Sequence, residues 1–549
     1  MAHCNASHTC LLYKASPRLP CIIHSFLHQR EIDLFNISPT SCKMEVPSSA
    51  SLAMDCGLRV RTKAPKPLSI AGRAGGGGDL DVGDEAELNV EEPLSPYSRV
   101  FHTPSLDTCL IIIFGFAETL DIDVLTGSLM ETSRKHPRFS SKLVFDGKKE
   151  KNPRWVRTKV NFEDHFIIPD LDPNMDKPDR FVEDYASNLS KIPIDVSKPL
   201  WEFHILNIRI SNANAVGVFK IHHSVGDGMS LVSLVLSMSR KTSNPEELPS
   251  IPTSIKKKPK FVDGPFRYLI AVWLIFKLFL NIMYQAVHAL FVKDTDTPIK
   301  GGKGVEHFPK RIVHRLISLD DIKFIKNGTN TTVNDVIVGI TDAALSRYLH
   351  RKCGGRLKKN ILLRASVIAN VRQTAGLQEL ADMMEKGSKC RWGNKVGVLL
   401  VPLHVSLEED PLEYVRRVNA NLNQKKLLLE AAYSYYSTWL FLKVFGIKVV
   451  AALTHKLLFN STLMVSNVLG PAEEITFCGQ RLAYIAPTGW GLPTGVIIHY
   501  MSYMNKMSIT LGACEEAIPD PHEFCDDIVE SVQLMKNAVL QRKATKVIF

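Results

Sequence analysis

The chain has 549 residues, 67 Lys and Arg against 56 Asp and Glu, a formal charge of +11, and 45% hydrophobic and 22% charged residues. That balance excludes disorder as the dominant state, and the length suffices for two or more domains. The positive excess favours anionic partners such as lipid head groups and phosphate-bearing small molecules. Without zinc-finger spacing, an aromatic-basic RNA motif or a basic helix leading into heptads, nucleic acid is not expected among them.

Residues 1–90 follow no helical or strand period, carry Gly75-Gly76-Gly77-Gly78 and an acidic run, and read as a disordered extension. No positively charged start runs into an apolar core, so no secretory signal is expected. The 11 cysteines form no CxxC pair and are scattered singly after residue 56, which suits a reducing compartment and gives no zinc or redox motif.

Order is expected from 91 onward. The apolar run over 109–116 reads as a buried strand, and 122–136 as a helix capped by Asp121 or Asp123. Strands follow over 203–210 and 215–221, separated by the turn residues Ser211-Asn212-Ala213-Asn214. Residues 241–310 read as a linker that holds an apolar helix at about 268–292, preceded by Lys256-Lys257-Lys258-Pro259-Lys260. A second ordered region, 311–549, shows a helix over 333–350 and strands near 360–368, 395–405 and 495–500. Alternating strands and helices indicate an α/β class, with one lobe over 91–240 and another over 311–549.

Chemistry concentrates in His222-His223-Ser224-Val225-Gly226-Asp227-Gly228, which follows an apolar strand and precedes the helix-like apolar run 229–238. A strand-to-helix turn stands at the mouth of a sheet, where α/β proteins bind ligands. An imidazole there, with an unperturbed pKa of about 6.5, can take a proton from an alcohol near neutral pH. No GxSxG elbow offers a serine nucleophile, so direct attack by the alcohol on a thioester is the expected route. One of two adjacent histidines must point away from a pocket, and His222 is expected to be that structural partner. Asp227 suits a helix cap or a structural ion pair, and Gly226 and Gly228 a sharp turn with room for substrate. The two histidines and Asp227 lack a fourth ligand, so no metal is expected.

Further motifs are Pro93-Leu94-Ser95-Pro96, Pro199-Leu200-Trp201-Glu202, Asn334-Asp335-Val336, Gly393-Asn394, Ser466-Asn467-Val468-Leu469-Gly470-Pro471 and Gly491-Leu492-Pro493-Thr494-Gly495. Together with HHxxxDG they resemble the plant branch of the wax ester synthase/diacylglycerol O-acyltransferase family, from about residue 93 to the C-terminus. The resemblance implies a two-lobed CoA-dependent acyltransferase (chloramphenicol acetyltransferase-like) fold with a tunnel between the lobes. It implies His223 as general base, supported by His222, Asp227 and Gly228, with acyl-CoA as a substrate and no cofactor. The acceptor would be a fatty alcohol, a diacylglycerol or both. Asn334 and Asp335 are a family motif, but a capping Asn with a first-turn Asp explains them structurally. His222 and Asp227 also satisfy the HxxxxD pattern of phospholipid-pathway acyltransferases, and HHxxxDG is shared with peptide-condensation domains. A non-catalytic lipid-binding protein of the same fold is the remaining alternative.

The apolar helix at 268–292 is long enough to cross a bilayer, yet Lys277, Asn281, Gln285 and His288 line one face of it. That stripe suits a helix lying in the membrane interface, and a crossing there would part the two lobes. Membrane lipid is therefore an expected partner, at the cytosolic face of the endoplasmic reticulum, with the cell membrane as a second location.

Overall fold

The computed structural model describes residues 59–60, 91–145, 153–249, 266–356, 361–372, 392–427 and 429–548. The expected extension at 1–90 and the basic run at 256–260 lie outside these residues, apart from Arg59–Val60, which pair with Pro169–Asp170.

Two sheets organise the chain. The first has seven strands, and its centre is Gln480–Trp490, Cys109–Phe116, Ala215–His222 and Trp201–Leu206, in that order. Cys109–Phe116 and Ala215–His222 are buried at every position, as a continuous apolar run requires when both faces are covered. The second sheet has six strands in the order Lys310–Ser318, Lys506–Cys514, Val496–Tyr503, Leu463–Leu469, Leu363–Asn370 and Val396–Leu403. The helices Val333–Lys352 and Pro521–Ile548 cover one face of it with a separate apolar core.

A linear division of the chain does not describe the lobes. Ile475–Phe477 and Gln480–Trp490, from beyond 311, return to the first sheet, where Gln480–Trp490 pairs antiparallel with Cys109–Phe116. The next five residues, Gly491-Leu492-Pro493-Thr494-Gly495, carry the chain straight back to the second sheet. Gly491 has φ +88°, and a Cβ on it would stand 1.8 Å from the Asp107 carbonyl oxygen. Only glycine permits this crossing beside the histidine turn. Gly491→Ala is therefore expected to lose at least the 1–3 kcal/mol or so of a strained backbone, with the clash in addition. A thermal melt equal to that of the unaltered protein would contradict this.

The sequence-expected strand at 203–210 is Trp201–Leu206 in the structure, which starts and ends earlier. Its register against Ala215–His222 sets Trp201 opposite Ile221 and Leu206 opposite Val216, which leaves 207–210 to form the turn.

Candidate active site

The strand Ala215–His222 ends with His222 opposite Cys109, and the chain turns through His223 to Asp227 into the helix Gly228–Ser237. Asp227 is that helix's cap, its Oδ1 accepting from the Ser230 amide at 3.0 Å. Its other oxygen accepts from Arg372 at 2.5 Å and from the Lys395 amide at 2.8 Å. The Asp227 and Arg372 side chains are 2% and 4% exposed, so their charges compensate each other out of water. The bond joins the two lobes.

The turn is held from the second sheet's side by side chains at its backbone. Asn394 donates to the His223 carbonyl at 2.9 Å and Trp392 donates to that of Val225 at 2.5 Å. Ser98, in the helix Pro96–Val100, donates to the Ser224 carbonyl at 2.9 Å. Arg372 and Trp392 were not legible as site residues, because no local pattern marks an arginine after a strand as the partner of an aspartate 145 positions away.

The chain turns at Gly226 and Gly228 without positive φ at either. Nor is the space they leave open to substrate: a Cβ on Gly226 would meet Trp392 at 3.2 Å, and one on Gly228 would meet Val468 at 3.0 Å. Their small size lets the opposite lobe approach.

The two histidines differ in their partners. His222 is 1% exposed, its Nε2 2.9 Å from Asp107 and its Nδ1 2.7 Å from the Ser224 hydroxyl. The Ser224 amide also donates to Nδ1, which makes Nδ1 the acceptor and Nε2 the donor to Asp107. His102 stacks on the ring at 4.1 Å and completes the chain through Ser224. Both nitrogens of His222 are thus occupied. His223, by contrast, has no hydrogen bond at Nδ1 and lies against Phe101, ring centroids 4.5 Å apart. Burial holds its pKa below the usual 6.5, while its own carbonyl and the Asp227 charge pull the other way. A neutral imidazole near neutral pH follows, which is the form a base needs.

Asn334 is not the cap of its helix. Thr332 caps Val333–Lys352 in a reciprocal capping box with Asp335. Exposed Asn334 accepts from Asn467 at 2.7 Å, and buried Asp335 accepts from Asn419 at 2.8 Å. Among the described residues the grouping able to hold a metal is His102, Asp107 and His222, and not the histidine pair with Asp227. Hydrogen bonds among these three and Ser224 already account for that contact.

Two α/β lobes joined by a crossover strand, with a paired-histidine turn at their seam, define the two-lobed CoA-dependent acyltransferase class. Solved structures agree on the fold. The wax ester synthase/diacylglycerol acyltransferase of Marinobacter aquaeolei VT8 superposes with a TM-score of 0.53 at 19% identity, covering 81% of this chain and 100% of that one. The first condensation domain of the calcium-dependent antibiotic synthetase also gives 0.53, at 13% identity over 82% of this chain and 97% of that one. In sequence, residues 114–337 match the wax ester synthase/diacylglycerol acyltransferase catalytic domain and 392–536 the WS/DGAT C-terminal domain. Wax ester synthase/diacylglycerol acyltransferase 11 of Arabidopsis thaliana is 46% identical over 82% of this chain and 96% of its own length, and number 4 is 45% identical over 84% and 93%. The chain belongs to the wax ester synthase/diacylglycerol acyltransferase family and is an acyltransferase.

Proposed function

We propose that the chain moves a fatty acyl group from acyl-CoA to a long-chain fatty alcohol, a diacylglycerol or both, with His223 as general base. The observation that carries this reading is the contrast in partners: both ring nitrogens of His222 are bonded, whereas His223 is half-buried at the lobe seam with its Nδ1 buried and unbonded. The alcohol proton passes to the His223 imidazole as the alcohol oxygen bonds the thioester carbon. The carbonyl re-forms, the carbon–sulfur bond breaks, and the CoA thiolate leaves with the proton from His223. No acyl-enzyme is involved. The HxxxxD alternative needs His222 paired with Asp227, but His222 bonds Asp107 and Ser224 while Asp227 bonds Arg372, Ser230 and Lys395. The sequence matches support acyl-CoA with an alcohol or acylglycerol as substrates. Expression in a yeast lacking neutral lipid tests the reading: triacylglycerol, or wax ester on adding fatty alcohol, should appear. Neither product with stable protein present would refute it.

The reaction takes place, on this reading, at the cytosolic face of the endoplasmic reticulum membrane, with the cell membrane as a second location. Support comes from two packed helices, Phe266–Phe291 and Glu430–Phe459. On the first, Trp273, Ile275 and Phe276 are 54%, 66% and 48% exposed, and on the second Val444 and Phe445 are 61% and 57% exposed. Water alone would not favour so much apolar surface. Lys277, Lys443 and Lys448 lie among these residues, suited to anionic head groups. His288, from the polar stripe expected in sequence, turns to the protein body and bonds Arg364 at 2.9 Å.

By length and composition Glu430–Phe459 could cross a membrane, but Gly446, at φ 77° and ψ 178°, breaks it. Each half is then shorter than the roughly 20 residues a crossing needs. On this reading both helices lie in the interface, because the second is broken and a crossing by Phe266–Phe291 alone would part the lobes that meet at the histidine turn. Replacing Trp273, Phe276, Val444 and Phe445 by Asp is expected to move the folded protein from the membrane to the soluble fraction. Of the sequons at Asn188, Asn327 and Asn460, the last is buried and the first two are exposed and flank the first helix, and both should stay unglycosylated. Glycan on only one of them would establish a crossing and sink the shared site.

A further inference from the structure

The strand Val496–Tyr503 alternates between two surroundings. Val496, Ile498 and Tyr500 enter the second lobe's core, while Ile497 joins the cluster containing Phe101, and Met501 and Tyr503 join the first lobe's core. His499 falls in that second set by the two-residue period of a strand. It therefore faces the seam, one step from Ile497, whose cluster includes the Phe101 ring that lies against His223. His499 is 7% exposed, and its Nδ1 is buried without a hydrogen-bond partner.

Its cross-strand neighbours extend the pattern. Thr510 stands directly opposite His499 in the register with Lys506–Cys514, so the two share a face. That face meets the first sheet: Ser508 donates to the Ile485 carbonyl at 2.6 Å, and a Cβ on Gly512 would touch Thr488 Oγ1 at 2.9 Å. Thr510 and Thr488 are both fully buried, and both hydroxyls lack a hydrogen-bond partner. A buried polar group left unpaired costs about 1–3 kcal/mol, so three at one seam, with His499 near enough to His223 for their charges to interact, point to a place for a polar ligand atom.

We propose that His499, with Thr510 beside it, donates a hydrogen bond to the acyl carbonyl oxygen during transfer. This rests on the reading of His223 as the base. The proton taken by His223 leaves negative charge on that oxygen when the alcohol adds, and a donor preset in a site without water stabilises it most. Burial, then the charge of His223, keeps the pKa of His499 down at about 3, so it stays neutral and serves as a donor, not as a second base. A fatty alcohol and a diacylglycerol both require this contact, since both react with the same thioester. The ester carbonyls of a diacylglycerol are the other oxygens this chemistry fits, and the two acceptors separate the sources.

The test is steady-state kinetics of His499→Leu and His499→Asn in the membrane-bound full chain, with each acceptor. His499→Leu should lower kcat about 100- to 1,000-fold with both acceptors. KM for acyl-CoA and the acid limb of the pH profile should stay in place, and His499→Asn, which keeps a donor, should retain more activity. An unchanged kcat overturns the inference and leaves the base role of His223 standing, because His223→Ala reports on that separately. A loss confined to diacylglycerol overturns the thioester assignment and moves the contact to the acceptor. If His499→Leu fails to fold, His499→Phe, which fills the space with a ring that lacks a donor, takes its place: a folded variant with unchanged kcat overturns the donor role, and a loss of about 100-fold or more that His499→Asn does not share supports it.

Discussion

His223→Ala is expected to lower acyl transfer by about 100- to 10,000-fold while leaving the protein folded. The side chain carries no hydrogen bond at Nδ1 and lies against the face of Phe101, so its removal breaks fewer polar contacts than that of His222 would. His222→Ala should act differently. It removes the acceptor of the Ser224 amide and the donor to Asp107, and its effect should appear as lowered stability before lost chemistry. The pH dependence follows from the same burial. Because the folded pKa of His223 lies below 6.5, the neutral base persists below the pH at which a free histidine protonates. Activity should fall only as pH drops through that depressed value, so the acid limb of kcat/KM belongs below about 6.5. A limb above it, or greater damage from His222→Ala than from His223→Ala in folded protein, would contradict the assignment.

Asp227→Asn carries the second large expectation. It removes a charge while leaving Arg372 buried at 4% exposure, and an uncompensated buried charge costs about 3–5 kcal/mol. The same substitution loosens the cap of Gly228–Ser237 and the tie to the Lys395 amide. A lower melting temperature should accompany the loss of activity. Adding Arg372→Met should recover part of the stability, since the stranded charge is then gone. An Asp227→Asn variant as stable as the parent, soluble and inactive, would argue instead for direct electrostatic action on the reaction.

Much of the active turn was legible because its signals are local. Cys109–Phe116 follows from an unbroken apolar run, and Gly228–Ser237 from a cap aspartate before an apolar segment. What holds the turn was not legible. Arg372, Trp392 and the Asn394 contact act across 145 to 171 positions, and no period in the chain joins them to it. Gly393-Asn394 stood out only as a motif.

Other elements were disguised by single residues. Pro487 sits inside Gln480–Trp490 opposite Ile112, where a proline ordinarily argues against an inner strand. Glu430–Phe459 begins after Leu429 at φ 54° with no side-chain cap, and Gly446 interrupts its period. His499 lies in a strand buried at all eight positions and reads as one more core residue until the face it shares is known.

Counting CoA against ester in membranes holding the unaltered protein or His223→Ala tests the central claim most directly. With acyl-CoA alone, the unaltered protein should release almost no CoA and gain no acyl mass. Adding fatty alcohol or diacylglycerol should release CoA in equal amount to the ester formed, and His223→Ala should do neither. A covalent acyl adduct on the protein, a burst of CoA before any alcohol is added, or ester formation undiminished in His223→Ala would contradict direct transfer with His223 as the base.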